Sequence, residues 1–294
     1  MKDIPVVFMD PSPRGALNNR QDDTGPAGSF ACNALPVTIS AVNDPISSFD
    51  RQLISEAFTD PAEYAAAVSR AEKGEPVAYI TGERDFFRET YFVTPDVLIP
   101  RPDTERVVEK VISLCHDGAK ILDLCTGSGC IAVSVFRNAG CRLSVEAADI
   151  SGPALAVARR NAERYSAGIS FFCLDVTDRE QVSAFVRRKK YDVIVSNPPY
   201  IDTDVCPELD ASVRDWEPRI ALDGGFDGMR FYRAILDGFL PSLEENGSFV
   251  FEIGYDQREK ITSEAGARGL DCEVTRDWGG NDRVAVIRRK NKAP

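Results

Sequence analysis

Histidine is almost absent from this chain of 294 residues, which contains one histidine and eight cysteines. The cysteines form no C-x-x-C pair, and structural zinc sites depend on closely spaced cysteine and histidine ligands. The sequence therefore predicts no bound metal. Several cysteines, such as Cys130 and Cys173, fall inside helix or strand patterns. This placement is typical of reduced core thiols and favours a cytoplasmic protein.

Long apolar runs are also absent, because no stretch of the chain approaches the roughly 20 apolar residues that cross a membrane. The N-terminus carries prolines and acids where a signal peptide has a basic and then an apolar region. The net charge of −11 disfavours attraction to phosphate backbones. We therefore expect no membrane partner, and we do not expect nucleic acid to be the direct substrate.

A glycine-rich turn follows a predicted strand. The apolar segment Ala119–Leu124 leads into Cys125-Thr-Gly-Ser-Gly129, and an apolar helix begins at Cys130. The glycines let the backbone approach a ligand at a helix N-terminus. No Walker lysine follows, and the phosphate-binding pattern G-x-G-x-x-G lacks its last glycine at Ala132. These absences favour S-adenosyl-L-methionine, which carries a ribose and no phosphate.

Carboxylates stand in or near the ends of successive predicted strands. Asp123 precedes the glycine turn, Asp149 ends the strand that starts at Leu143, and Asp175 follows the strand that starts at Ile169. Each acid alone is typical of a helix N-cap. Together they lie at one edge of a parallel sheet, where an acid about 20 residues past the turn binds ribose hydroxyls.

The segment Asn197-Pro-Pro-Tyr200 follows the apolar run that starts at Tyr191 and ends at Ser196. Two prolines remove backbone donors and hold the chain extended, which leaves carbonyl groups free to face a ligand. The Asn197 side chain adds an acceptor, and Tyr200 adds an aromatic face. This combination suits an NH2 group on a carbonyl or a ring, so both amides and nucleobases remain candidates. A simple Pro-Pro turn is the structural alternative.

Several motifs together resemble those of the HemK/PrmC family, methyltransferases that modify the glutamine of the Gly-Gly-Gln motif in peptide chain release factors. The resemblance runs from about Glu75 to Arg288. It rests on Ile99-Pro-Arg-Pro-Asp-Thr-Glu105, Asp123 to Ala132, Asp149-Ile-Ser151, Asn197-Pro-Pro-Tyr-Ile201, Glu217-Pro218 and Glu252-Ile-Gly-Tyr-Asp-Gln257. Asn-Pro-Pro-Tyr alone is shared with adenine methyltransferases, whereas the full set is more specific.

The resemblance implies roles for individual residues. It assigns S-adenosyl-L-methionine, converted to S-adenosyl-L-homocysteine, to Asp123, Cys125, Thr126, Gly127, Ser128, Gly129, Asp149, Asp175, Val176 and Asn197. Within this set Asp149 faces the ribose, and Asp175 with Val176 lies beside the adenine. Asn197, Pro198, Pro199 and Tyr200 would hold the substrate glutamine, with Asn197, Pro198 and Tyr200 catalytic. Arg101 and Glu105, at a helix start, are added as substrate-binding residues, with helix capping as the alternative.

Two positions depart from the family pattern. Cys125 stands where the family usually has glycine, and we expect a side chain to be tolerated there if φ is below zero. Val176 stands where some members carry an aromatic residue, which predicts weaker stacking on the adenine.

The chain divides into four predicted segments. Residues 1–45 are rich in Pro, Gly, Asn and Asp and form an irregular N-terminal segment. Residues 46–81 form a small helical substrate-docking domain, with helices at Ser48–Phe58 and Pro61–Lys73. Residues 82–100 form a β-hairpin linker, and residues 101–294 the methyltransferase domain.

The last two predicted strands, Cys272–Asp277 and Arg283–Arg288, have no helix between them and should be antiparallel neighbours. The expected architecture is α/β, with a mostly parallel seven-stranded sheet, one antiparallel strand and helices on both faces. It resembles the class I fold of methyltransferases that depend on S-adenosyl-L-methionine.

An amide nitrogen is a poor nucleophile because its lone pair is delocalised into the carbonyl. We expect the Asn197 side-chain oxygen and the Pro198 carbonyl to accept the two amide N–H groups and orient the nitrogen. Three alternatives stay open: methylation of a nucleobase amino group in DNA or RNA, methylation of a ribosomal-protein glutamine, and a non-catalytic binding module.

Overall fold

The structure is a computed structural model, and it describes residues 46–290. The predicted irregular segment at 1–45 lies outside the described residues, as do residues 291–294. In the described part of the chain, no helix is both long enough and apolar enough to cross a membrane.

Three helices open the described chain: α1 (Ser48–Ala57), α2 (Pro61–Glu72) and α3 (Val77–Thr81). The side chain of Asp60 caps α2 by accepting from two backbone N–H groups, and Pro61 takes the first helical position. Ile54, Ala67 and Ile80 form their shared core. The sequence predicted α1 and α2 to within a residue at their ends but not α3, which is too short to show a helical period.

A hairpin follows, with β1 (Glu83–Phe86) paired antiparallel to β2 (Glu89–Phe92). It is shorter than the predicted linker at 82–100, because residues 93–100 leave the ladder. Val93, Val97 and Ile99 pack instead in a cluster with two residues of the later helix α6 (Gly152–Arg164), Ala154 and Val157. This packing carries the chain from the hairpin to the main sheet.

The main sheet has seven strands in the order β5-β4-β3-β6-β7-β9-β8. They are β3 (Ala119–Leu124), β4 (Leu143–Asp149), β5 (Ile169–Cys173), β6 (Tyr191–Ser196), β7 (Leu243–Glu252), β8 (Leu270–Arg276) and β9 (Asp282–Arg289). Strand β9 is antiparallel to both of its neighbours, and the other pairings are parallel. This arrangement confirms the predicted fold class.

Helices cover both faces of the sheet. On one face α4 (Glu105–Leu114), α5 (Cys130–Asn138) and α6 share a core with alternate strand residues such as Val193 and Val195. On the other face α7 (Arg179–Val186), α9 (Arg230–Phe239) and α10 (Arg258–Ala267) pack with strand residues such as Ile194. Because neighbouring residues of a strand point to opposite faces, one strand serves both cores.

The chain turns sharply between α9 and β7. Helix α9 ends at Phe239, and a 3₁₀ turn spans Leu240–Ser242. Pro241 lacks the amide N–H that would continue the helix, so the chain turns there and β7 begins at Leu243. A further short helix, α8, spans Ala211–Arg214 in the loop after β6.

The register of the parallel strands places their carboxyl ends side by side. Leu124 of β3 pairs with Ala148 of β4 and with Ser196 of β6, and Ser196 pairs with Phe251 of β7. The connections after β3 and β6 leave the sheet in different directions, which opens a crevice between them. The loops that carry the predicted site residues start at this edge.

Candidate active site

A cavity of about 220 Å³ lies at the carboxyl edge of β3, β4 and β6. Ten of the predicted site residues line it: Arg101, Cys125, Thr126, Gly127, Ser128, Asp149, Asp175, Val176, Asn197 and Pro199. Five do not: Glu105, Asp123, Gly129, Pro198 and Tyr200. The structure therefore brings residues from five separate segments of the chain to one cavity, and the other five predicted residues do not reach it.

The glycine turn wraps the end of β3 with several residues in the left-handed region. Cys125, Gly127 and Gly129 have φ values of 57°, 54° and 78°. The condition under which a side chain at Cys125 was expected to be tolerated, a φ below zero, is therefore not met, and Cys125 adopts the left-handed conformation. At Gly129 a side chain would also be crowded, since a Cβ would lie 3.1 Å from the Cβ of Ala158. Gly129 thus lets α5 pack closely on α6.

The Asp149 carboxylate lines the cavity and is oriented by backbone amides. Its Oδ2 accepts from the Gly127 N–H at 2.9 Å, and its Oδ1 accepts from the Ser151 N–H at 2.9 Å. Burial raises the pKa of Asp149, while the two amides act in the opposite direction. A fixed carboxylate with lone pairs to spare is suited to accept the hydroxyls of a ribose.

Asp123 lies beneath the turn and not on the cavity wall. It is fully buried, and its Oδ2 accepts from the Thr126 hydroxyl at 2.6 Å and the Ala132 N–H at 3.2 Å. Its Oδ1 has no hydrogen-bond partner among residues 46–290. Burial raises the pKa of Asp123 to about 7. Its contacts support the loop that carries Thr126, so it shapes the cavity from behind.

Asp175 and Val176 line the cavity after the end of β5. The Asp175 Oδ1 accepts from the N–H and hydroxyl of Thr177 at 2.8 and 2.7 Å. This local turn fixes the carboxylate at the cavity edge. Val176 is buried and presents an aliphatic surface beside the apolar side chains of Ile150 and Leu174, which also line the cavity.

The segment Asn197–Tyr200 is held rigidly after β6. Before it, the Ser196 hydroxyl donates to the Leu124 carbonyl at 2.6 Å, and at its far end Gln257 Nε2 donates to the Tyr200 carbonyl at 2.9 Å. A Cβ on Gly228 would lie 2.3 Å from the Tyr200 carbonyl oxygen, so only glycine fits there. Asn197 and Pro199 reach the cavity, whereas Pro198 is buried and Tyr200 is half-buried behind it.

A hydrogen-bond network joins both ends of this segment to a buried glutamate. The Thr104 hydroxyl donates to Glu252 Oε2 at 2.6 Å, and Asn197 Nδ2 donates to Thr104 Oγ1 at 3.4 Å. The Tyr200 hydroxyl donates to Glu252 Oε1 at 3.4 Å. Burial raises the pKa of Glu252 to about 6, and burial also raises the pKa of Tyr200, which keeps its proton for donation.

The two charged residues predicted at the start of α4 have different surroundings. Arg101 lines the cavity and forms an ion pair with the buried Glu217, which also accepts from the Ile99 N–H at 3.3 Å. Glu105 lies away from the cavity lining, and its Oε1 accepts from the Phe87 N–H at 2.9 Å. It therefore ties the β1–β2 hairpin to α4.

The cavity and its support include residues that sequence reasoning missed. Thr104, Arg230 and Phe231 line the cavity, and Glu252 supports it from behind. Thr104 and Glu252 stand inside the motifs Ile99–Glu105 and Glu252–Gln257 that carry the family resemblance, so the sequence did contain a signal for them. Arg230 and Phe231 open α9 after an irregular loop and show no pattern that marks a site.

The described residues contain no candidate metal site. Among residues 46–290, no group of three or more His, Cys, Asp or Glu side chains is arranged to hold a metal ion. The residues that line the cavity supply carboxylates, hydroxyl groups, two guanidinium groups and the Asn197 carboxamide.

The fold is similar to that of a solved structure of low sequence identity. The hMettl16 catalytic domain, solved in complex with MAT2A 3′UTR hairpin 6, has a TM-score of 0.53 and 14% sequence identity, covering 78% of this chain and 82% of that chain. At this identity the likeness shows the fold alone.

Sequence comparisons identify the family. The family model of the methyltransferase small domain matches residues 106–208. A release factor glutamine methyltransferase of Geobacter sulfurreducens is 39% identical over 243 residues, 81% of this chain and 80% of the relative. A Bacillus subtilis protein of the same name is 38% identical over 236 residues, 76% of this chain and 80% of the relative. The family predicted from the motifs is confirmed, and the chain belongs to the release factor glutamine methyltransferases.

Proposed function

We propose that the protein transfers a methyl group from S-adenosyl-L-methionine to the side-chain amide nitrogen of the glutamine in the Gly-Gly-Gln motif of a peptide chain release factor. Family membership supports the substrate class. The observation that carries the chemistry is the position of Asn197, which lines the cavity with its Nδ2 engaged by Thr104. The Asn197 oxygen is then left to accept an N–H from a substrate amide.

The residues of the cavity fit S-adenosyl-L-methionine by their chemistry. Asp149 offers carboxylate oxygens to ribose hydroxyls, and Ile150 with Val176 offers apolar surface to an adenine ring. Asp149 and Asp175 also provide negative charge for a sulfonium cation, whereas the charge of Arg101 is compensated by Glu217. When bound, this cofactor supplies an electrophilic methyl group.

The protein contributes orientation and fixed dipoles to the reaction. Asn197 Oδ1 accepts one N–H of the substrate amide and turns the nitrogen lone pair toward the methyl group. The same acceptor would stabilise the positive charge that develops on the nitrogen as it is methylated. The proton that the nitrogen loses would pass to water. Pro198 does not line the cavity, so its carbonyl, the second acceptor expected from the sequence, has no role in this step.

Docking of the release factor is assigned to residues 46–81 on the strength of the family resemblance. Helix α1 exposes 62% of Phe49, which offers an apolar contact to a protein partner. The net charge of −11 disfavours a nucleic-acid partner in the same position.

The test is a methyl-transfer assay with labelled cofactor. The protein is incubated in parallel with a release factor, its Gly-Gly-Gln to Gly-Gly-Ala variant, ribosomal proteins and duplex or ribosomal nucleic acid. We expect one methyl group on the motif glutamine, located by mass spectrometry, and no label on the alanine variant. Label on nucleic acid alone, or on a ribosomal-protein glutamine alone, would reject the proposed substrate in favour of the alternative.

A further inference from the structure

Glu252 ends β7 behind the cavity and has 2% of its surface exposed. It is not part of the cavity lining, yet each of its oxygens contacts a different part of the site. Oε2 accepts from the Thr104 hydroxyl at 2.6 Å, and Oε1 accepts from the Tyr200 hydroxyl at 3.4 Å. One carboxylate therefore reaches both the neighbour of Asn197 and the end of the Asn197–Tyr200 segment.

The direction of these hydrogen bonds fixes the direction of the next one. An ionised carboxylate only accepts, so the Thr104 hydroxyl must give its proton to Glu252. The Thr104 oxygen then has only lone pairs to offer, and it accepts from Asn197 Nδ2 at 3.4 Å. The NH2 group of Asn197 is thereby held on the Thr104 side, and its oxygen is directed the other way.

We propose that Glu252 is a positioning residue that acts through Thr104 to hold the Asn197 carboxamide with its oxygen available to the substrate amide. Through Tyr200 it also anchors the far end of the same segment. This inference rests on the proposed function, because it concerns how Asn197 accepts a substrate N–H. If the Asn197 carboxamide were turned by 180°, its NH2 group would face the N–H of the substrate amide. It could not accept that N–H and would not orient the substrate nitrogen.

A purely structural role explains the arrangement less well. Among residues 46–290, no Lys, Arg or His side chain forms an ion pair with Glu252, although Arg283 lies near enough to affect it. Arg283 instead pairs with Asp103 and Asp277 and donates to the Ile253 carbonyl. An unpaired buried carboxylate is costly, and an apolar residue would fill such a core position more stably.

The orientation of Asn197 should depend on the ionisation of Glu252. Burial raises the pKa of Glu252 to about 6; Thr104, Arg283 and Tyr200 oppose the rise, and the Asp103 carboxylate adds to it. A protonated Glu252 can donate to Thr104, which frees the Thr104 hydroxyl to donate to Asn197 and favours the turned carboxamide. We expect kcat to fall on the acid side with an apparent pKa near 6.

The kinetic test uses Thr104→Val with the matched variant Thr104→Ser, and Glu252→Gln. Val keeps the shape and removes the hydroxyl, Ser keeps the hydroxyl, and Gln can donate to Thr104. We expect Thr104→Val and Glu252→Gln to lower kcat by about 10- to 100-fold while Kd for S-adenosyl-L-methionine stays within about twofold. Thr104→Ser should retain most of kcat, and Glu252→Gln should lose the acid limb of the pH profile. Thermal unfolding shows that each variant is folded at the assay temperature.

A second measurement reads Asn197 without any turnover. The side-chain amide signals of Asn197, assigned in a ¹⁵N–¹H spectrum with Asn197→Ala, should shift with pH with an apparent pKa near 6. They should lose this dependence in Glu252→Gln. Full kcat in Thr104→Val, or Asn197 signals that do not titrate, would overturn the inference. If the wild type labels no release factor, the proposed function fails, and the titration alone still decides whether Glu252 controls Asn197.

Discussion

The two walls of the cavity are built in different ways. The cofactor wall (residues 125–128, 149–151 and 175–176) is fixed mostly by contacts between groups close in the chain or on adjacent strand ends, such as Asp149 with the Gly127 and Ser151 amides. The acceptor wall (Thr104, Asn197 and Pro199) is fixed by a carboxylate 148 residues from Thr104. Local geometry thus shapes the side that we propose binds the cofactor, and tertiary packing shapes the side that we propose holds the substrate.

The largest effect on kcat should come from a substitution in the acceptor wall. Replacement of Asn197 by alanine removes the side-chain acceptor, and we expect kcat to fall by about 10²- to 10³-fold. Binding of S-adenosyl-L-methionine, measured by calorimetry, should change by less than about tenfold, since the cofactor wall is intact.

The matched control is Asn246→Ala, because Asn246 is exposed and distant in sequence from both walls. It should leave kcat and cofactor binding unchanged. A loss of cofactor binding in Asn197→Ala equal to the loss of kcat would contradict the separation of the two walls.

The next effect concerns how the free energy of unfolding depends on pH, and it comes from Asp123, which lies beneath the cofactor wall. The pKa of Asp123 is raised by burial from 3.8 to about 7. Between these values the unfolded chain has released a proton that the folded protein keeps, so the free energy of unfolding falls as the pH rises from about 4 to about 7. The contribution lost is on the order of 4 kcal/mol.

Asp123→Asn keeps an oxygen for Thr126 and Ala132 and cannot ionise. Urea unfolding at pH 5 and pH 8 should show a smaller loss of stability for this variant than for the wild type. An equal loss in both proteins would show that Asp123 is ionised in the fold across this range.

A smaller effect is expected from Asp149. Its replacement by alanine removes a charged acceptor for the ribose hydroxyls, and we expect Kd for S-adenosyl-L-methionine to rise by about 10- to 100-fold. With saturating cofactor, kcat should stay within a few-fold of the wild type, because Asn197 and Thr104 are untouched. A lower kcat with an unchanged Kd for S-adenosyl-L-methionine would show that Asp149 acts on the substrate amide. That result would contradict the division of roles between the two walls.

The contrast between the walls also explains what the sequence could predict. The glycine turn, Asp149 and Asn197 were found because strand ends and backbone requirements leave short patterns in the chain. Glu252 was not given a role, because no local pattern reports that its carboxylate meets Thr104 across the fold. The substrate role predicted for Glu105 rests on its position at a helix start in a family motif, and the pattern does not report that its carboxylate accepts from the Phe87 N–H of the hairpin.

The smallest effect is expected at Cys125, where the stability of two variants tests the backbone conformation of the cofactor wall. A non-glycine residue at φ 57° carries a steric cost of about 1 kcal/mol or slightly more. Cys125→Gly and Cys125→Ala both remove the thiol, which is partly buried against the core. The difference in free energy of unfolding between the two variants therefore isolates the cost of the backbone conformation. We expect the glycine variant to be more stable than the alanine variant by about 1 kcal/mol in urea unfolding. Since the turn keeps its shape in both, Kd for S-adenosyl-L-methionine should agree within about twofold between them. An alanine variant as stable as the glycine variant would mean that the turn relaxes to negative φ, and the cofactor wall would then be less rigid than the acceptor wall.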